Sequence, residues 1–109
     1  MKSKKRCLFI GRYQPFHKGH EWLIEQKLKD YPVAIAVRDC GVSNDNPIPA
    51  KTVKLMIEEF YSGQDVVVFI IPDILGVYYG RDVGYEVQDL EPPPDIRQIS
   101  ATKIRKGIT

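Results

Sequence analysis

The chain has 109 residues, of which 43% are hydrophobic and 28% charged, and a net charge of +2. That length holds one domain with one core. The near-balanced charge argues against a nucleic-acid binder, and no apolar run is long enough for a membrane span or a signal peptide. The excess positive charge lies in Lys2-Ser3-Lys4-Lys5-Arg6, so residues 1–5 read as a solvated basic tail of a single domain, 1–109. Cys7 and Cys40 are too few and too scattered for a zinc site or a disulfide framework. Both are expected as reduced thiols of a cytoplasmic protein.

In chain order, Arg6–Gly11 contains the apolar run Cys7-Leu8-Phe9-Ile10 and is predicted as a first buried strand. A turn follows, from Gly11 to His20. The spacing of Trp22, Leu23 and Leu28 predicts a helix from about Lys18 to Lys29, with Trp22 in the core. Tyr31-Pro32 breaks it. Val33–Val37 is continuously apolar, the mark of a strand buried on both faces. Cys40–Pro49 is a polar loop. A second helix is predicted over Ala50–Tyr61, with Val53, Met56, Ile57 and Phe60 as its core face. Ser62-Gly63 ends it.

Asp65–Pro72 holds a third strand, Ile74–Tyr79 a fourth and Tyr85–Leu90 a fifth, with Gly80–Gly84 as a tight loop between the last two. Pro92-Pro93-Pro94 is a stiff connector. Ser100 then caps a final short helix, Ala101–Lys106. Alternating strands and helices predict an α/β domain built on a doubly wound parallel sheet of five strands. In such sheets ligands bind beyond the carboxyl ends of the strands, at the switch in strand order. The first turn, Arg38-Asp39, Asp73 and Gly80–Asp82 all follow strands and should gather there.

The first turn carries the chemistry. Gly11-Arg12-Tyr13-Gln14-Pro15-Phe16-His17-Lys18-Gly19-His20 places two imidazoles three residues apart where a helix begins. Backbone N–H groups and the helix dipole favour an anion at such a place, and Gly19 would let a phosphate approach the backbone. Gly11-x-Tyr13-x-Pro15-x-His17-x-Gly19-His20 resembles the signature of the HxGH nucleotidyltransferase superfamily, which includes nicotinamide-mononucleotide adenylyltransferases and cytidylyltransferases. Ile99-Ser100-Ala101-Thr102-Lys103-Ile104-Arg105 resembles that superfamily's second signature, ISxTxIR, and stands in the same order along the chain.

The resemblance implies a compact Rossmann-like fold and transfer of a nucleoside monophosphate onto a small phosphorylated acceptor, with release of pyrophosphate. His17 and His20 would stabilise the transition state at the α-phosphate. Arg105, the third catalytic candidate, would bind the outer phosphates with Ser100 and Thr102. Gly11, Arg12, Tyr13 and Gly19 would line the nucleotide, and Gly80 and Asp82 would meet its ribose and base. Arg38 and Asp39 fall where the family binds its acceptor. Magnesium is expected on the triphosphate itself, with no dedicated protein metal site.

The partners so implied are a nucleoside triphosphate and a phosphorylated small molecule, with neither nucleic acid nor membrane. A homo-oligomer, dimer or larger, is expected because a small sheet leaves an edge open. Arg12 and Gln14 stand where the adenylyl-transferring branch has Arg and Gln, and the cytidylyl branch usually has Thr and Asp in this turn, which favours ATP. Two other readings stand beside it: a cytidylyltransferase using CTP, and a nucleotide-binding regulatory module without turnover. The last draws on two departures from the adenylyltransferase pattern. Val53 occupies a helix position where an arginine is frequent, and the stretch from Asp73 to Tyr79 is short.

Overall fold

The computed structural model of the chain describes residues 5–100 and 104–105. Five elements lie within two residues or so of their predicted bounds: β1 (Cys7–Gly11), α1 (Lys18–Leu28), β2 (Val33–Asp39), α2 (Ala50–Phe60) and β3 (Val66–Pro72). The strands are parallel, with β2 between β1 and β3. The register sets Phe9, Ile35 and Val68 in one row across the sheet, and Leu8, Ala34 and Val67 in the next.

The row of Phe9, Ile35 and Val68 faces the helices. Val33, Ile35 and Val37 of β2 and Val68 of β3 form one core with Ile24 and Leu28 of α1, Val53 and Ile57 of α2, and Tyr13 and Tyr61. Both crossovers advance in the same direction across the sheet, so one handedness puts both helices on one face. The opposite face leaves Leu8, Ile10, Val67 and Phe69 exposed. The buried stripes are narrower than the spacing suggested. On α2 only Val53 and Ile57 are buried, while Met56 and Phe60 are about half exposed. On α1 Ile24 and Leu28 hold the core, and Trp22 and Leu23 are partly buried beside them.

The α/β class and parallel sheet match expectation, but the five-stranded, doubly wound arrangement does not. Among the described residues the sheet has three strands, and residues 73–93 form neither strand nor α-helix. Ile74–Tyr79 and Tyr85–Leu90 have the aromatic and β-branched content of strands. That content reports fitness for a pleated surface, and a strand forms only against an edge that pairs with it. Gly76 interrupts the first segment, Gly80 and Gly84 bound the loop between the two, and most side chains of both segments face solvent, Leu75 being 94% exposed. Among the described residues the strand order has no reversal, so the expected switch point is absent. The carboxyl ends of β1 and β2 nonetheless bring the first turn and the 40–49 loop together.

A short helix, α3 (Pro94–Arg97), stands where a stiff connector was expected. Proline is tolerated at the first helical position because its missing N–H has no helical acceptor there. α3 packs on α1. Beyond it, the Ile104 N–H donates to the Ser100 carbonyl at 3.1 Å, the bond that a helix capped at Ser100 requires. Ala101–Lys103 and Lys106 of that expected helix lie outside the described residues, as do residues 1–4 of the basic tail.

Arg6 serves the sheet. It pairs with the Asp65 carboxylate at 2.9 Å and donates to the carbonyls of Val33 and Asp65, clasping the amino ends of β2 and β3. Cys7 and Cys40 are free thiols, one at the start of β1 and one just past β2. No helix among the described residues is long and apolar enough to cross a membrane.

Candidate active site

His17 is the N-cap of α1, in extended backbone conformation. Its Nδ1 accepts the Gly19 N–H at 3.0 Å, and the His20 Nδ1 accepts the His17 N–H at 3.1 Å. This is a reciprocal capping box, built from imidazoles instead of a hydroxyl and a carboxylate. The rings stack with centroids 3.8 Å apart and 25° between planes.

Two consequences follow from these bonds. Two of the amides expected to receive a phosphate, those of His17 and Gly19, are already engaged by the rings. And because each Nδ1 accepts, a neutral ring must carry its proton on Nε2. Burial, and then the neighbouring His17, push the His20 pKa down to about 3, and burial lowers that of His17. The pair therefore offers two neutral Nε2–H donors side by side.

The two glycines of the turn have steric tasks. A Cβ on Gly19 would stand 2.8 Å from Cε1 of His17, so glycine is required before any ligand arrives, by the ring that caps the helix. A Cβ on Gly11 would stand 2.9 Å from Cζ of Tyr13. Tyr13 itself takes a positive φ of 53° and is buried. Its ring lies edge-on to His20 at 4.8 Å, while Phe16 stacks on His20 at 5.5 Å. Tyr13, expected against the nucleotide, thus forms the wall behind the His20 imidazole, and burial pushes its hydroxyl pKa up. A small cleft of about 110 Å³ opens beside these rings at β1, lined by Phe9, Ile10, Gly11, Tyr13, His20 and Leu23 among others.

The second motif reaches this turn. The Arg105 guanidinium donates to the backbone carbonyl of Gln14, across 91 positions of sequence. Ser100 is partly buried at the start of that segment. Thr102 lies outside the described residues. Arg12 donates to Oδ1 of Asn46 at 3.3 Å, which ties the turn to the loop before α2.

The remaining candidates are less closely gathered. Arg38 pairs with Asp73 at 2.8 Å across the ends of β2 and β3. That bond, with a further one from Cys40, holds the Asp73 carboxyl below its usual range. The Asp39 carboxylate accepts the Gly41 N–H at 3.1 Å and so shapes its own loop. Gly80 and Asp82 are exposed, and no hydrogen bond or ion pair among the described residues brings either to the turn.

Sequence reading took Gln14 only as a mark of the adenylyl-transferring branch and missed Asn46; both are buried polar residues at the rim. The turn also holds Arg12, His17, Lys18 and His20, so one more polar side chain there does not stand out. Among the described residues no three His, Cys, Asp or Glu side chains stand together as a metal site.

No protein-family model matches the chain. Among curated proteins it is similar to the nicotinamide-nucleotide adenylyltransferase of Methanococcus maripaludis, 32% identical over 91 residues, 81% of this chain and 53% of the relative. The corresponding protein of Archaeoglobus fulgidus is 30% identical over 100 residues, 84% of this chain and 57% of the relative. That of Methanocorpusculum labreanum is 31% identical over 71 residues, 62% and 42%. The chain spans about half the length of the curated relatives it matches. Together with the parallel α/β sheet and the turn that closes it, these similarities make the chain a member of the nucleotidyltransferase superfamily. The relatives that place it there share one name, nicotinamide-nucleotide adenylyltransferase.

Proposed function

We propose that the chain transfers AMP from ATP to a small phosphorylated acceptor. An acceptor phosphate oxygen attacks the α-phosphorus in line, the bond from that phosphorus to the bridging oxygen breaks, and pyrophosphate leaves. The protein need do little covalent work in such a step. It must hold the phosphates and place donors where negative charge grows. The observation that carries this reading is Arg105, which arrives from the far end of the chain at the Gln14 carbonyl, within the turn that holds His17 and His20.

On this reading the Nε2–H groups of His17 and His20 donate to the α-phosphate oxygens, and Arg105 neutralises the outer phosphates with Ser100 and Thr102. The turn's donors are imidazoles, guanidinium groups and amides, a set that binds anions and repels cations. Magnesium therefore fits only as a passenger on the triphosphate, where it would neutralise phosphate charge. Arg38 and Asp39 stand toward the acceptor. The relatives' name makes a nicotinamide nucleotide the first acceptor to try and supports ATP over CTP.

The test is pyrophosphate release with ATP and with CTP, magnesium present, across phosphorylated acceptors headed by nicotinamide mononucleotide. His20→Ala should lower acceptor-dependent release by about a hundredfold or more. Exclusive turnover of CTP would make the chain a cytidylyltransferase. Binding of ATP without release from any mixture would make it a regulatory nucleotide-binding module, a reading favoured by the exposed stretch at residues 74–90.

A further inference from the structure

Gln14 is 5% exposed, and both polar ends of its side chain are bonded. Its Nε2 donates to the Ile48 carbonyl at 2.8 Å and its Oε1 accepts the Ile48 N–H at 2.9 Å. The carboxamide thus satisfies both backbone groups of one residue, as a neighbouring strand would. Only an amide of this length can do so, because Glu lacks the donor and Asn lacks the reach. Ile48 precedes Pro49, the N-cap of α2, which has no side-chain cap of its own. Gln14 therefore fixes where the 40–49 loop ends and where α2 starts.

The same loop is braced beside it. Asn46 is held by Ser43 through backbone and hydroxyl bonds, and its Oδ1 accepts from Arg12. Meanwhile the backbone carbonyl of Gln14 accepts the Arg105 guanidinium. One residue joins the turn that carries the histidines, the loop beyond β2 and the arginine of the distant second motif.

We infer that Gln14 is a positioning residue for the nucleotide: its side chain anchors the turn to Ile48, and that anchor sets the carbonyl against which Arg105 is aligned. This rests on the adenylyl-transfer reading. Removing the anchor should let the carbonyl and the guanidinium drift, so that Arg105 contributes less to binding. A residue important only for folding would lower thermal stability without changing what Arg105 contributes in the folded protein.

The experiment is calorimetric titration of MgATP into the native chain, Gln14→Ala, Arg105→Ala and the double variant. Gln14→Met, which keeps the volume and removes both bonds, serves as a second variant should Gln14→Ala fail to fold. Gln14→Ala or Gln14→Met should bind MgATP about tenfold more weakly while still unfolding cooperatively. Arg105→Ala should then weaken binding by a smaller factor in that background than in the native chain, the signature of coupled groups. Native affinity in the folded Gln14 variants, or factors that multiply independently, would overturn the proposal and leave the transferase reading standing. Failure of the native chain to bind MgATP or MgCTP would overturn both.

Discussion

The first turn and the stretch at 73–93 are both loops that follow a strand, yet they are built in opposite ways. In the turn, bonds spanning two or three residues fix both imidazoles, and a carboxamide and two arginines tie it to distant backbone and side chains. Along 73–93, Leu75, Tyr78, Tyr79 and Tyr85 face solvent, and no regular element forms before α3. The first segment completes its own polar groups locally and rests on the core through Tyr13. The second has strand-like side chains and no paired edge to use them on. Short-range hydrogen bonding builds a site from within, whereas a strand depends on its neighbour.

Breaking the foundation of the turn should have the largest effect. Ile57→Ala empties part of the core that also holds Tyr13, and should cost about 2–5 kcal/mol in a urea titration, since cavity formation adds to lost transfer energy. Next comes Gly19→Ala, whose methyl meets the His17 ring. It should lower pyrophosphate release by about a hundredfold, while loss of the cap costs about 1 kcal/mol of stability by thermal unfolding.

Acid should act on the same turn. His20 and His17 have folded-state pKa values below their unfolded value near 6.5, so the unfolded chain binds protons first as pH falls. Their contribution is whole above about pH 6.5 and is lost progressively as pH drops toward the folded values. For His20, whose folded value is about 3, the slope should approach about 1.4 kcal/mol per pH unit below about pH 6, and His17 adds to it in the same direction. Urea titrations between pH 7.5 and 5 should show it, and His20→Gln should flatten it. Smallest of all, Leu75→Ser and Tyr78→Ser should change stability by no more than about 0.5 kcal/mol. A larger loss from either would mean that the stretch packs on something, and the contrast with the turn would fail.

The same contrast explains what the sequence disclosed. β1, α1, β2, α2 and β3 were legible because continuous apolar runs and helical spacing are local signals. The histidine turn was legible for the same reason, though its physics was not: spacing of three suggested a phosphate cradle and concealed a capping box. The bond of Gln14 to Ile48 spans 34 positions and follows from the placement of β1 beside β2, which no periodicity reports. α3 was hidden because three prolines in a row suggest an extended connector, while the last of them is well suited to begin a helix. Met56 and Phe60 fit the helical pattern of α2 but lie beyond the width of the face the sheet covers.

The imidazole capping box also bears on how a chain of this kind would change in descent. The atoms that cap the start of α1 are the ones that hold the two Nε2–H donors in place, so on the transferase reading helix and chemistry share a single pair of positions. A lineage that abandoned catalysis would still need a cap there. The conservative way to keep one is Ser or Thr at 17 with Glu at 20, the ordinary version of the same reciprocal bond. Descendants with that substitution pair would keep the shape of the turn and lose its donors, a readable mark of retirement from enzymatic work.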